Sequence, residues 1–253
     1  MVVGRRRYRS SVQSETRRDS TIPARLRLVW QLISDALRQS GLDAPDVLDC
    51  GGGSGSFAVP LASAGAHVTV VDISVDALAT LARRAIEAGV ADRVRPVQAD
   101  VEALADAIPS GAFDVALAHG ILEEVDDLEA ALAAIAATIR PGGLLSVVIG
   151  NPAAGILARA LAGDLAGALD DVNRLDAVEA RSGPSAVQAA CARSGLVVEQ
   201  VHGIGVFSEL VPGAALDQPG AGDALAELEA QVASRTPFTE IAARVHLLAR
   251  RTN

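Results

Sequence analysis

Lysine is missing from this 253-residue chain, and arginine supplies all 22 of its basic side chains. Aromatic residues are nearly as scarce: Tyr8, Trp30, Phe57, Phe113, Phe207 and Phe238 are the whole set. Six rings leave little on which an extruded nucleic-acid base could stack. The two cysteines, Cys50 and Cys191, fall in different expected elements, with no metal-ligand spacing and no disulfide framework. That usage fits a reducing cytosol and predicts no metal. No apolar h-region follows the basic start, so a signal peptide is not expected. Long hydrophobic runs are lacking too. The most apolar stretch, 130–150, is interrupted by Arg140-Pro141-Gly142-Gly143 and reads as helix, turn and buried strand. A cytoplasmic protein without membrane contact is the expectation.

What is present is globular. A chain that is 50% hydrophobic and 21% charged, at this length, can bury a core of two or three layers. The net charge of −9 hides an asymmetry, because eight arginines give residues 1–30 a net +6 while the remainder totals −15. Residues 1–21 are expected to form a basic, solvated arm. Residues 22–253 are expected to form one domain with a helical insertion at about 152–182.

From Asp46 onward short β-branched runs alternate with helical ones, the pattern of βαβ units and a parallel sheet. Strands are predicted at 47–50, 67–72, 93–98, 113–118, 144–149, 197–204 and 244–249. Helices are predicted at 23–39, 57–64, 75–88, 128–139, 153–169 and 223–234. Gly65, Gly89 and Gly142-Gly143 fall where helix ends need a left-handed residue.

The chemical centre is Val47-Leu48-Asp49-Cys50-Gly51-Gly52-Gly53-Ser54-Gly55, a strand running into glycines and then a helix. Glycines there let backbone N–H groups approach a ligand that side chains would block. Gly53-Ser54-Gly55-Ser56-Phe57-Ala58 also satisfies the dinucleotide pattern G-x-G-x-x-A, so the loop alone does not discriminate. Asp49 does. A carboxylate beside the glycines would oppose a pyrophosphate, but it suits a sulfonium and an α-amino group. Asp72, ending the second strand and followed by Ile73, stands where an acid takes both ribose hydroxyls. Asp100-Val101 stands where an acid accepts an adenine amine and an apolar neighbour covers the ring. Helix capping is the competing role for each of these acids. His67, His202 and His246 lie in expected strands with no ligand spacing, so core or surface positions are expected for them.

With the fourth strand leading to His119, and Ile139-Arg140-Pro141-Gly142-Gly143 turning into the fifth, five motifs follow in order. The whole resembles the class I S-adenosylmethionine-dependent methyltransferases. That resemblance implies a Rossmann-like α/β fold: a seven-stranded, mostly parallel sheet, an antiparallel last strand and helices on both faces. Arg25 ahead of Trp30, Gly203-Ile204-Gly205-Val206-Phe207, Ala226-Glu227-Leu228-Glu229, Pro237-Phe238 and Arg244-Val245-His246 extend the likeness. Over about residues 22–250 the chain is similar to the bacterial tRNA 5-carboxymethoxyuridine methyltransferase family. The resemblance implies S-adenosyl-L-methionine contacts at Arg25, Gly51, Gly52, Asp72 and His119, with Asp49, Gly53, Ile73, Asp100 and Val101 completing the expected site. His119 is the one candidate catalytic side chain. The insertion departs from the tRNA-acting relatives, since Asp164, Asp170, Asp171, Asp176 and Glu179 outnumber Arg159, Arg174 and Arg181. Phosphate neutralisation supplies most nucleic-acid affinity, so this face suits RNA poorly. The reading favours a small-molecule acceptor, a carboxylate oxygen in particular, over the alternative of tRNA wobble uridine. More distant alternatives are a non-catalytic cofactor-binding protein and a nicotinamide-dependent oxidoreductase. The latter is opposed by Asp49 and by the missing Tyr-x-x-x-Lys pair.

Overall fold

The computed structural model describes residues 26–252, so Arg25 and the basic arm at 1–21 lie outside the described residues. Helix α1 (Arg27–Ser40) precedes the sheet, turning Val29, Trp30 and Ile33 inward and ending at Gly41 in the left-handed conformation. Then β1 (Asp46–Cys50), α2 (Ala58–Ser63), β2 (His67–Asp72), α3 (Val75–Glu87) and β3 (Val94–Gln98) build one half. Ser74 caps α3 by accepting the Ala77 N–H at 3.2 Å. A short α4 (Leu104–Ala107), β4 (Phe113–His119), α5 (Leu128–Thr138) and β5 (Ile139–Gly150) follow.

After β5 come α6 (Pro152–Leu161), α7 (Leu165–Ser182) and α8 (Pro184–Arg193), then β6 (Leu196–Ile204). Short α9 (Gly213–Leu216), α10 (Ala221–Val232) and α11 (Phe238–Ile241) lead to β7 (Arg244–Arg251). The seven strands lie in the order β3-β2-β1-β4-β5-β7-β6. The first five are parallel, and β7 runs antiparallel to both β5 and β6. This is the class I methyltransferase arrangement. Alternate strand residues feed two cores. Val47, Val70, Leu117 and Val148 pack beneath α1, α2 and α3, while Leu48, Cys50, Ala118 and Val147 pack beneath α5 and α8. The period-2 alternation of side chains puts helices on both faces.

Three expectations are corrected. The helix expected at 153–169 is two helices, because Asp164 interrupts it and caps α7 by accepting the Gly167 N–H at 3.0 Å. Strand β5 begins at Ile139, ahead of the Arg-Pro-Gly-Gly turn, with a register shift opposite Phe113 and Val115. Gly142 has φ +77, but Gly143 is needed for another reason: a Cβ there would lie 2.8 Å from the Asp114 carbonyl oxygen. Arg140 in this turn pairs with Asp46 at 2.8 Å and Asp114 at 2.5 Å, tying β1, β4 and β5 together at their N-terminal side. Among the described residues no helix is long and apolar enough to cross a membrane.

Candidate active site

Parallel strands leave their ligand crevice at their carboxyl ends. Here that edge carries Cys50, Asp72, His119 and Gly150, each the last residue of its strand. A cavity of about 250 Å³ opens there, lined by Asp49, Gly51, Gly52, Phe57 and His119, with Glu123, Gly150 and Arg244 on its far wall. The glycines are packed, not merely permissive. A Cβ on Gly52 would sit 2.5 Å from the Asp49 carboxylate and 2.8 Å from Val70, and one on Gly51 would sit 2.9 Å from Ile121. Gly51 and Gly53 also hold positive φ, at 67° and 53°.

Asp49 is buried beside this cradle, and burial with the nearby Asp72 charge raises its carboxyl to about 7. A bound cation would offset that cost. Asp72 accepts the Gly53 N–H at 2.9 Å and the Ser74 N–H at 2.8 Å, so one carboxylate joins the glycine loop to the start of α3. Ile73 beside it is exposed. Strand β3 ends at Gln98, two residues short of Asp100, which instead caps a single 3₁₀ turn by accepting the Glu102 N–H at 2.9 Å. Val101 is buried in the core. The structure thus brings Asp49, Gly51, Gly52 and His119 into one cavity. It places Asp72, Ile73 and Asp100 further along the same edge, outside that cavity's lining.

His119 is held by one ring contact and through one nitrogen. Its ring meets Phe57 edge-on at 4.6 Å. Nε2 lies 2.9 Å from Ser146 Oγ, and Nδ1 is sealed with no partner. Burial lowers its pKa to about 3, which makes the ring neutral at physiological pH. Ser146 Oγ also lies 2.9 Å from His246 Nε2, and His246 Nδ1 lies 3.4 Å from His202 Nδ1. Three of the four histidines therefore join through one serine into a buried polar chain across β4, β5, β7 and β6. The sequence offers no spacing that signals this. Only the strand order makes His202 and His246 direct cross-strand partners.

Two residues quoted in the resemblance motifs acquire roles that the sequence does not state. Glu229 on α10 accepts the N–H groups of Val206, Phe207 and Ser208 at 2.9, 2.8 and 2.8 Å, clamping the loop after β6. Arg244, the first residue of β7, pairs in register with Gly150 and Ile204, so its side chain issues at the ligand edge. Among the described residues no set of three His, Cys, Asp or Glu side chains is arranged to hold a metal ion.

A seven-stranded sheet with this order and a glycine cradle at its carboxyl edge is the class I methyltransferase fold. Residues 47–143 match the family model described as a methyltransferase domain, and the chain is an S-adenosylmethionine-dependent methyltransferase that carries this domain. It is 26% identical over 228 residues to the tRNA 5-carboxymethoxyuridine methyltransferase of Escherichia coli K12, covering 88% of this chain and 87% of the relative. It is 41% identical over 106 residues to the ubiquinone biosynthesis O-methyltransferase of Pectobacterium carotovorum, a match limited to 42% of this chain and 43% of the relative. Among solved structures, magnesium protoporphyrin IX methyltransferase from Synechocystis, with bound SAM, is similar in fold. The TM-score is 0.56 at 14% identity, covering 90% of this chain and 80% of that one.

Proposed function

We propose that the protein transfers a methyl group to a carboxylate oxygen of a small cytoplasmic molecule. The observation that carries this reading is the shared wall between two cavities. The 250 Å³ cavity beside the glycines opens against a second of about 500 Å³, and Glu123, Gly150 and Arg244 line both. One cavity suits the methyl donor and the other the acceptor, with transfer at the wall between them.

On the donor side, the glycine N–H groups and Asp49 would hold the aminoacyl end, Asp72 with Ile73 the ribose, and Asp100 with Val101 the adenine. Arg25, outside the described residues, remains the expected partner of the donor's carboxylate. S-adenosylmethionine supplies a methyl already activated by its sulfonium charge, so displacement onto a carboxylate yields an ester and a neutral thioether without moving a proton. The protein's contribution is alignment and exclusion of water. Neither of the two candidate bases beside the fourth-strand lip is free, which supports an acceptor of this kind. His119 has one nitrogen occupied by Ser146 and the other sealed, and Glu123 accepts the Gly150 N–H. His119 is accordingly assigned to shaping the cavity, not to proton abstraction.

The tRNA reading is favoured by one observation, the 26% identity that spans most of both chains. Against it stand α6 and α7, where Arg159 and Arg174 are already paired with Asp164 and Asp171. Incubation with methyl-tritiated S-adenosylmethionine, separately with a metabolite extract and with bulk tRNA, decides between them. The expected label is in small molecules and is released as methanol by mild alkali. Label in tRNA would favour the second reading, and alkali-stable label would remove the ester.

A further inference from the structure

The larger cavity lies between α6, the end of α7, the loop after β6 and the start of β7. At about 500 Å³ it is in the range of small-molecule sites. Much of its wall is apolar, with Leu157, Val206, Leu210 and Ile241 facing it. Four charged side chains line it, namely Glu123, Arg181, Glu209 and Arg244. They are unequally engaged. Glu123 accepts the Gly150 N–H. Glu209 stands 3.6 Å from Arg244, an ion pair at ordinary distance but without a hydrogen bond. Among the described residues Arg244 donates no hydrogen bond to a protein acceptor, and Arg181 has no carboxylate within ion-pair distance.

Among the described residues Arg244 thus has only the Glu209 ion pair, with its donors open at the wall shared by two cavities. The two arginines lining the cavity at the opposite end of the sheet are occupied: Arg140 grips Asp46 and Asp114, and Arg250 grips Glu199 through two nitrogens. The Arg244 side chain is 41% exposed, open enough to meet a ligand, and its backbone is fixed between Gly150 and Ile204 in the sheet. A planar guanidinium presents a fork that matches a carboxylate.

We infer that Arg244 anchors the acceptor's carboxylate at the junction, with Arg181 as a second cation on the rim, and that the acceptor class is a small amphipathic monocarboxylic acid. Its carboxylate sits against Arg244 facing the donor cavity. Its apolar body lies along Leu157, Val206, Leu210 and Ile241. This rests on the carboxyl-methyltransferase reading above and adds to it the subsite and the shape of the ligand. Glu209 stays as the partner that keeps Arg244 in place when no acid is bound.

The test uses full-length protein saturated with S-adenosylhomocysteine, titrated calorimetrically with hexanoate and 4-phenylbutyrate and with the matching neutral amides. The acids are expected to bind at least tenfold more tightly than the amides. Arg244→Gln should remove that preference while leaving the S-adenosylhomocysteine affinity within twofold of the parent. Arg181→Gln should reduce the preference about threefold. Equal binding of acid and amide, or an Arg244→Gln variant that keeps the preference, overturns the anchor. Loss of S-adenosylhomocysteine binding in Arg244→Gln, with the melting temperature retained, would overturn it too by assigning the side chain to the donor's carboxylate. Failure of the parent protein to bind S-adenosylhomocysteine at all would instead overturn the donor-cavity reading on which the subsite depends.

Discussion

The donor half of the ligand edge and the acceptor half are built by different means. From β1 to β4 the edge is made of backbone: glycines at positive φ, strand ends, and an acid that accepts backbone N–H groups from its own loop and the neighbouring one. From β5 to β7 it is made of side chains brought from far apart in sequence. Glu123 reaches Gly150, Asn151 reaches the carbonyls of Glu240 and Ala242, and Glu229 reaches residues 206–208. A backbone site recognises a constant ligand and tolerates little change, whereas a side-chain site can be re-cut for a new acceptor while the fold stays the same. Substitutions on the two sides should therefore have different consequences, and the comparison can be broken by measuring both.

The largest effect is expected at Gly52. Adding a single methyl places it 2.5 Å from the Asp49 carboxylate and against Val70, both of them buried side chains. Gly52→Ala should lower S-adenosylmethionine affinity by about 100-fold or more, through displacement of the loop or of Asp49. Calorimetry checks this, with circular dichroism to confirm the fold. Near-parental binding would mean that the cradle adjusts freely and that the donor half is less rigid than its packing implies. Asp72→Ala comes next. It removes the acceptor of the Gly53 and Ser74 N–H groups together with the proposed ribose contact, a loss of about 2–3 kcal/mol in donor binding. Unchanged affinity would move the ribose away from β2.

These contrasts explain what could be read from the sequence. Strand β2 and the strand cores of β1 and β4 are legible because alternation and glycine spacing are local signals. So are Asp49, Gly51 and Gly52, which fall within four residues of one another and share one cavity. The break at Asp164 is hidden because alanine and leucine continue helical periodicity on both sides of it. Asp100 can be read as a ligand or as a cap with equal ease, and the structure gives it the capping bond. The histidine–serine chain and the roles of Glu229 and Arg244 are illegible for a single reason. Their partners lie 21 to 100 residues away, and only the tertiary fold makes them neighbours.

Asp49 sets a pH dependence confined to the donor half. Its carboxyl is raised to about 7, so the ligand-free fold favours the protonated form. A folded-state value above the ordinary one means that this contribution to stability is complete below about pH 4 and is lost as the pH climbs through about 7. Asp49→Asn should accordingly stabilise the ligand-free protein at pH 8 by about 2–4 kcal/mol, measured by urea unfolding. A cationic donor needs the ionised carboxylate, so its affinity should fall up to about tenfold per pH unit below 7, and the Asn variant should bind weakly with a flat profile. A flat profile in the parent protein would place Asp49 out of reach of the donor's charge.

The smallest effect on the donor, and the cleanest separation of the halves, is expected at Glu229. Its Oε1 accepts the Phe207 and Ser208 N–H groups and its Oε2 accepts that of Val206. Glu229→Gln keeps the shape and one oxygen but turns an amide NH₂ toward a backbone donor. That should cost about 1–2 kcal/mol of stability. The strain falls on residues 206–208, and Val206 forms part of the acceptor cavity wall while none of the three lines the donor cavity. S-adenosylhomocysteine affinity should therefore stay within twofold, while binding of a carboxylic acid probe weakens several-fold more than the small stability loss would suggest. The measurement is a pair of titrations on one variant, first with the donor product and then with hexanoate on the saturated protein. Equal losses for both ligands would show the clamp supporting the whole edge, and the division into a backbone-built and a side-chain-built half would then not describe how this enzyme binds.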